Sequence, residues 1–146
     1  MESPKGYGLY IKRISSCLES EANRSLQARN LTHSQAHFLM ELNRRENNTA
    51  PLKSLESCFD AAQSTIAGLA VRLEKKGLIE SFSDPQDRRV KLVRLTTAGR
   101  AEVNACFREI AASEAHLVSG LTDCERTLLM NLLERLHETV KKQLPE

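Results

Sequence analysis

The chain has 146 residues, of which 40% are hydrophobic and 27% charged, and its formal net charge is +2 at pH 7. This length predicts one domain with enough apolar side chains to bury a core. No apolar secretory segment opens the chain, and no apolar run approaches the roughly 20 residues that a membrane-spanning helix requires. We therefore expect a cytoplasmic protein that does not enter a membrane.

Two helices are predicted in the first third of the chain. Apolar residues recur every three or four positions over residues 7–27, which predicts one buried helical face. That face comprises Tyr10, Ile14, Cys17, Leu18, Ala22 and Leu26. A second helix, over about residues 33–45, is predicted to begin at a capping box in which Thr32 and Gln35 exchange hydrogen bonds. Its predicted buried face comprises Ala36, Leu39, Met40 and Asn43.

Two further helices and a short link indicate a helix-turn-helix. The first helix is predicted over residues 52–59, and the second over residues 63–76, where Gly77 ends it. Asp60 is a candidate cap for the second of them. The predicted buried face of that second helix comprises Ile66, Leu69, Ala70 and Leu73. Two helices joined so closely are typical of this motif.

A basic β-hairpin is predicted next. One strand opens at Leu78, the chain turns at residues 84–89, and a second strand covers residues 90–95. A two-stranded hairpin is marginal alone, so it must lean on the helices. Residues 61–100 hold eight Lys/Arg and four Asp/Glu, whereas the rest of the chain has a small acidic excess. This local charge suits a surface that contacts phosphates, although an ordinary solvated surface has a similar composition.

Two longer helices are predicted at the end of the chain, over about residues 97–117 and 122–144. Thr122 and Glu125 form a second predicted capping box. The last helix carries a wide apolar stripe of Leu129, Leu132, Leu133, Leu136, Val140 and Leu144. This stripe indicates packing against a second subunit, and packing within one chain is the alternative.

Four cysteines, Cys17, Cys58, Cys106 and Cys124, occur without the close pairs typical of a zinc site. We expect them to be buried thiols that act as small hydrophobic side chains. A redox-sensing thiol is the alternative, and Cys124 is best placed for it in the predicted first turn of the last helix. His33 and His37 lie four residues apart without an evident third ligand, so no metal site is predicted.

Three segments, in this order, resemble the MarR family of bacterial transcriptional regulators. They are Leu31-Thr-x-x-Gln35, Leu73-Glu-Lys-Lys-Gly-Leu-Ile79, and Asp84-Pro-x-Asp-Arg-Arg89 with Leu95-Thr-x-x-Gly99. The resemblance covers nearly the whole chain and implies a mainly α-helical fold with a small β-hairpin. Within a single domain, residues 31–96 would form a winged helix-turn-helix lobe. The helices in about residues 1–30 and 97–146 would form a dimerisation lobe.

The same resemblance implies a homodimer that binds double-stranded DNA at a pseudo-palindromic operator. Members of the family usually repress transcription until a small phenolic or anionic compound, or an oxidant, weakens the binding. A regulator controlled by its cysteines, and a winged helix that acts through a protein partner, are alternatives. The chain has no glycine-rich phosphate loop and no nucleophile elbow, so neither an enzyme nor a cofactor is expected.

Candidate functional residues follow by position in the family pattern. Those for DNA binding are Lys53, Gln63, Ser64, Thr65, Gly68, Arg72, Asp87, Arg88, Arg89 and Lys91. A glutamine can bond adenine through two atoms, and Asp87 would orient Arg89. Ser64 and Thr65 would contact DNA or, as the alternative, bond the start of their own helix. Candidate effector-pocket residues are Tyr10, Arg13, His37, Met40 and Phe107, and candidate dimer-interface residues are Ile14, Leu18, Leu129, Leu132, Leu136 and Val140.

The chain departs from the family pattern on the predicted DNA surface. Ala62 stands where the family often has a Ser or Thr cap, and Gln63 stands where an Arg is common. Gly68 takes the place of a polar or basic residue, and Ser81 lies near the position of a common Arg. The surface is therefore less basic than the family pattern, which implies either weak DNA binding or a larger share of the contact for the wing.

Overall fold

The computed structural model describes residues 6–59 and 63–143. The described residues form six α-helices, a short 3-10 turn and a three-stranded antiparallel sheet. By its internal contacts the chain divides into two compact units, one ending at Ile110 and the other beginning at Ala111. None of the helices in the described part is both long and apolar enough to span a bilayer.

Helix α1 spans Tyr7–Ala28 and helix α2 spans His33–Asn43. The predicted capping box starts α2, since Thr32 Oγ1 accepts from the backbone N–H of Gln35 at 3.2 Å. In return, Gln35 Oε1 accepts from the backbone N–H of Thr32 at 3.3 Å. This confirms the predicted start of α2.

The prediction of a buried face on α1 is wrong for the single chain. No residue of α1 is buried, and Ile14 is 47% exposed. Leu18 is half-buried, and Leu26 packs at the edge of the core. The apolar periodicity of α1 is correct, but the described chain supplies no cover for most of that face.

The predicted buried face of α2 is confirmed for Ala36 and Leu39 but is incomplete. Its buried residues are Gln35, Ala36, Phe38, Leu39 and Leu42, whereas Met40 and Asn43 are half-buried. The helix contacts α3, α4 and the sheet together, so its core side is wider than one stripe. The predicted face therefore missed Phe38 and Leu42, both of which are fully buried.

Helices α3, Leu52–Phe59, and α4, Gln63–Lys75, form the helix-turn-helix pair. The predicted cap Asp60 lies outside the described residues. Helix α4 ends as predicted at Gly77, whose φ is +71°. There the N–H of Leu78 donates to the carbonyl of Leu73 at 3.0 Å, and the N–H of Gly77 donates to that of Glu74 at 2.9 Å. This pattern is a Schellman motif, which glycine favours because it has no Cβ.

The sheet has three strands where the sequence predicted two. Strands β2, Ile79–Ser83, and β3, Lys91–Leu95, form the predicted hairpin. A third strand, β1, Thr49–Pro51, pairs with the other edge of β3, so that Val93 lies opposite both Ala50 and Ser81. Strand β1 has three residues, which is too short for an alternating pattern to be recognised in the sequence. Strand β3 is therefore central rather than an edge strand.

One core joins these elements. Its fully buried members include Phe38, Leu39, Leu42, Leu55, Ile66, Leu73, Val93 and Val103. Helix α5, Thr97–Leu117, begins beside the sheet, where Thr96 Oγ1 accepts from the N–H of Gly99 at 3.0 Å. A Cβ at residue 99 would overlap the carbonyl oxygen of Leu78, so this contact admits only glycine.

Helix α6 spans Asp123–Lys141 and begins at the second predicted capping box. The backbone N–H of Thr122 donates to Glu125 Oε2 at 2.8 Å. Hydrogen bonds from the backbone and hydroxyl of Thr122 lower the pKa of Glu125. No described residue of α6 is buried, and Leu132, Leu136 and Val140 are all exposed, while Leu129 is half-buried. Leu144 lies outside the described residues.

Candidate nucleic-acid interface

The outer face of α4 is formed mainly by polar and small residues, although Val71 is also exposed. Ser64, Thr65 and Arg72 are exposed and Gly68 is half-exposed, whereas Ile66, Leu69, Ala70 and Leu73 face the core. Thr65, Gly68 and Arg72 share one side because residues three and four positions apart are neighbours on a helix. Gln63 is the first residue of α4, at the end where the helix follows its link to α3.

Gly68 has no side chain, so the backbone of α4 is uncovered at this point of the face. A Cβ there would have one near neighbour, Arg72 Nη2 at 4.0 Å, so no packing contact requires glycine. Glycine inside a helix costs about 1 kcal/mol relative to alanine. The same absence of a side chain allows another molecule to approach the backbone of α4 closely.

The wing, residues 84–90, is a compact turn between β2 and β3. The N–H of Asp84 donates to the carbonyl of Val90, and the N–H of Val90 donates to the carbonyl of Asp87, both at 2.9 Å. The carboxylate of Asp84 accepts from the N–H of Gln86 at 2.9 Å, a bond typical of an Asp that begins a turn. These bonds hold the tip in one conformation.

Asp87 and Arg89 form the predicted ion pair at the tip of the wing. Asp87 Oδ1 accepts from the backbone N–H of Arg89 at 3.1 Å and from its Nε at 3.2 Å. The Arg89 side chain is 91% exposed, so the pair adds under about 1 kcal/mol to folding. The pair instead orients the Arg89 side chain. It uses only one of the five N–H donors of the guanidinium, so it does not occupy the other four.

Other cations near the wing differ in what they contact. Arg88 and Lys91 are exposed. Arg94, which is not among the predicted DNA contacts, is held by Glu80, with Nη2 to Oε1 at 2.7 Å. Its guanidinium also lies 5.0 Å from the ring centre of Phe82. Glu80 and Arg94 lie opposite each other on β2 and β3, and this strand register brings the two charges together.

A hydrogen bond connects α4 to strand β2, which leads into the wing. Glu74 of α4 accepts from the backbone N–H of Ser81 of β2 through Oε1, at 2.8 Å. Lys53 is exposed on α3, which packs against α4. All ten predicted DNA contacts lie in the first compact unit, and the strand that leads into the wing is bonded directly to α4.

Two of the five predicted effector-pocket residues contact each other, and a third contacts a residue outside the set. Arg13 lies 5.9 Å from the ring centre of Tyr10, and His37 lies 4.4 Å from that of Phe59. Met40 is half-buried, and Phe107 is exposed. The pocket that these five residues would line stays a prediction.

A polar cluster without any local sequence signal joins α1 to α5. Arg29 donates to Glu109 Oε1 through Nε at 3.0 Å and to Glu102 Oε2 through Nη1 at 3.3 Å. Ser25 Oγ also donates to Glu109. The hydrogen bond with Glu109 raises the pKa of Arg29, and the one from Arg29 lowers the pKa of Glu109. These partners are about eighty residues apart in sequence, so no local pattern indicates them.

The prediction that the cysteines are buried is confirmed only in part. Cys106 is buried, and burial raises the pKa of its thiol. Cys58 is half-buried, with Arg45 Nη2 at 3.4 Å from its sulfur. The expectation of buried thiols is wrong for Cys17 and Cys124, which are exposed because neither α1 nor α6 has a covered face. Within residues 6–59 and 63–143, no three His, Cys, Asp or Glu side chains are grouped as metal ligands would be.

Comparisons with known sequences identify relatives among regulators. The model of the MarR family matches residues 31–91. An uncharacterised HTH-type transcriptional regulator, YxaD of Bacillus subtilis, is 30% identical over 109 residues, which cover 75% of each chain. The HTH-type transcriptional repressor NicR of Pseudomonas putida is 38% identical over 77 residues, or 51% of this chain and 47% of NicR. The chain spans less than half the length of NicR and of another B. subtilis regulator, YdgJ, of which it covers 42%.

Solved structures confirm the fold. The S. aureus MepR–DNA complex has a TM-score of 0.80 and 26% sequence identity, covering 92% of this chain and 99% of MepR. The YusO protein of Bacillus subtilis has a TM-score of 0.82 over 90% of this chain and 92% of its own, and at 22% identity it bears on the fold alone. The mostly helical architecture with a small antiparallel sheet is therefore that of winged-helix regulators.

Proposed function

Because this chain belongs to the MarR family of helix-turn-helix transcriptional regulators, we propose that it is a repressor that binds double-stranded DNA as a homodimer. A small phenolic or anionic ligand would release it. The observation that carries this proposal is the exposed face of α4, which Glu74 and Ser81 join to strand β2 and so to a wing with exposed cations. The solved complex of MepR with DNA supports the same use of this fold.

Helix α4 would read bases in the major groove. The Gln63 amide can bond adenine through two atoms, and Ser64 and Thr65 can bond base edges or phosphates. Arg72, two turns further along the helix, would contact the DNA backbone. The open backbone at Gly68 would let the helix sit deeply in the groove.

The wing would supply contacts that do not depend on base sequence. Arg88 and Arg89 suit the narrow minor groove, whose negative potential attracts arginine. Lys91 and Lys53 would neutralise phosphates, which releases counterions and makes the affinity dependent on salt. Asp87 would orient Arg89, and Arg94 would contribute less because Glu80 already neutralises it.

The apolar faces of α1 and α6 support a homodimer. Ile14 and Leu18 lie on α1, and α6 presents Leu129, Leu132, Leu136 and Val140, without a buried residue in the described part of either helix. Apolar surface of this extent marks an interaction site, and a second copy of the chain is the partner that this family implies. Two-fold symmetry would then require a pseudo-palindromic operator with half-sites about one helical turn apart.

Selection from a library of random duplexes at low and moderate salt tests the proposal. The retained fraction is sequenced, and an enriched inverted repeat is the expected result. Retention without a consensus would contradict base reading by α4 and leave only backbone binding. A chain that retains no duplex at either salt would contradict the whole proposal and favour a protein partner.

A redox-controlled regulator is a second candidate, favoured by the exposure of two thiols, Cys17 and Cys124. Under this alternative, mild peroxide would release the selected duplex, and reductant would restore binding. The variants Cys17→Ser and Cys124→Ser identify which thiol is responsible. Release that survives both substitutions would exclude these two cysteines as the sensor.

A further inference from the structure

A cavity of about 360 Å³ lies where the turn after α1 meets the start of α2 and the residue that follows α4. Leu26 and Leu31 form apolar parts of its wall, and Asn30, His33 and Lys76 form polar parts. Among the described residues that line it, none is acidic and Lys76 brings a positive charge. The cavity therefore offers an apolar surface and a cation that no lining carboxylate neutralises.

The Lys76 ammonium can leave its hydrogen-bond partners at little cost in free energy. Its Nζ donates to the carbonyl oxygen of Asn30, and at 2.9 Å to Oε1 of Gln35, which is 4% exposed. The same Gln35 oxygen accepts from the backbone N–H of Thr32 in the capping box. If the ammonium moved away, the buried oxygen would keep that second partner, so the cost of an unsatisfied buried acceptor would not arise.

We propose that this cavity binds a small aliphatic carboxylate, whose charged end takes the Lys76 ammonium from Gln35 and Asn30. The apolar part of such a ligand would contact Leu26 and Leu31. The cavity volume lies at the lower end of the range of about 300–1,000 Å³ that is typical of small-molecule sites, which suits a short ligand. The exchange replaces neutral carbonyl acceptors of the ammonium by a carboxylate, and the added Coulomb attraction between two opposite charges favours it.

Lys76 also connects the cavity to α4. Its backbone N–H donates to the carbonyl of Arg72 at 3.2 Å, so the residue continues the last turn of the helix. Its side chain fastens that end of α4 to the turn between α1 and α2. A ligand that draws the ammonium away would loosen this attachment. Ligand and DNA would then weaken each other's binding by the same factor, because coupling between two sites is reciprocal.

Binding of hexanoate to the full chain, measured by calorimetry without DNA, tests the site. We expect Lys76→Gln to weaken hexanoate binding about ten-fold, the usual effect of losing a charge-assisted hydrogen bond. Lys75→Gln is the matched control, because Lys75 is the last residue of α4 and does not line the cavity. Hexanamide has nearly the same shape without the charge, and it should bind about as weakly as hexanoate binds the Lys76→Gln variant.

Three outcomes would overturn the site. These are an absence of hexanoate binding, an equal loss in the Lys75→Gln control, and a loss on Arg13→Gln that Lys76→Gln does not show. The last would move the site to the pocket predicted around Tyr10 and His37. Should Lys76→Gln fail to fold, the side-chain amide signal of Gln35 in the unaltered chain decides. Its NMR shift should change on addition of hexanoate, and an unchanged shift would refute the exchange of partners.

The coupling to α4 rests on the proposed function, and a separate measurement tests it. Hexanoate should lower the affinity for the selected duplex roughly five-fold in the unaltered chain and have no effect in Lys76→Gln. DNA binding that ignores bound hexanoate would contradict the coupling alone. A chain that binds hexanoate but no duplex would contradict the proposed function and leave the site itself intact.

Discussion

Gly99 shows how a single missing side chain sets the distance between two elements. Because a Cβ there would overlap the carbonyl oxygen of Leu78, Gly99→Ala must push α5 away from the start of β2. We expect it to lower the free energy of unfolding by about 3 kcal/mol, as overpacking in a tight core does. Urea denaturation measures this loss. Gly120→Ala is the control, since nothing lies within 4 Å of a Cβ there, and an equal loss in both would contradict the steric account.

Gly68 should respond in the opposite way. Its position in α4 is open, so Gly68→Ala should raise the free energy of unfolding by about 1 kcal/mol through helix propensity. If DNA approaches the backbone here, the same methyl group should lower DNA affinity. Gly8→Ala, at an open position in α1, should leave DNA affinity unchanged. Denaturation and binding to the selected duplex provide the two measurements, and unaltered affinity in Gly68→Ala would argue against a close approach.

Substitution of Arg89 distinguishes the contribution of the wing to DNA binding from that of α4. Arg89→Ala should weaken binding to all duplexes by a similar factor, and the dependence of log affinity on log salt should lose about one unit of slope. Substitutions at Thr65 should instead change the preferred sequence. Arg94→Ala removes the same charge where Glu80 already neutralises it, and a smaller effect is expected. An unchanged affinity and salt slope in Arg89→Ala would remove the wing from the interface.

Between elements, the contact of α1 with α5 through Arg29 and Glu109 makes stability dependent on pH. The pKa of Glu109 is lowered in the folded chain, chiefly by its hydrogen bond from Arg29. The contribution of Glu109 is therefore present above its unfolded pKa, near 4 to 5, and is lost as pH falls through its lower folded pKa. Glu109 is 39% exposed, and solvent screening limits the effect to about 1 kcal/mol at most.

Glu109→Gln tests this contact. The difference in free energy of unfolding between the unaltered chain and the variant should be largest above pH 5 and should shrink toward pH 3. Denaturation curves across that range measure it. Glu114→Gln neutralises an exposed acid further along the same helix and should change stability far less. A difference that stays constant with pH would show that the carboxylate charge of Glu109 does not contribute.

Helix boundaries could be predicted because their causes are local. The capping boxes at Thr32 and Thr122, and the glycine at residue 77, lie within a few positions of the ends that they determine. The third strand could not be predicted, because three residues ending in a proline acquire their conformation from β3, more than forty positions away. The buried face of α2 was predicted incompletely for the same reason, since the neighbours of Phe38 and Leu42 come from distant segments.

For the whole molecule, the exposed apolar face of α6 is the feature on which assembly depends. Leu136 is 50% exposed in the single chain, so Leu136→Glu should not unfold it. We expect this variant to sediment as a monomer and to lose affinity for the inverted repeat, because a charge would be buried in the dimer interface. Arg135→Glu changes charge beside the stripe and should leave the dimer intact. A Leu136→Glu chain with the sedimentation of the unaltered protein would contradict the interface.

The candidate site could be predicted from the sequence only where its residues lie close together along the chain. The outer residues of α4 and the ion pair of Asp87 with Arg89 follow from spacing along one helix and one turn. The neutralisation of Arg94 by Glu80 depends on strand register, and the cavity beside Lys76 depends on three segments that meet in the fold. A sequence pattern thus indicates which residues point outward, but it leaves open which of their charges remain available.

The central place of β3 has a consequence for how the chain withstands cutting. A trypsin-like protease would find Arg88 and Arg89 on an exposed loop and could break the backbone there. The C-terminal fragment would then begin with β3, which stays hydrogen-bonded to β2 on one side and to β1 on the other. Both strands belong to the N-terminal fragment, and Val93 and Leu95 remain buried against it. A nicked molecule would accordingly keep its two pieces together while losing the intact tip of the wing.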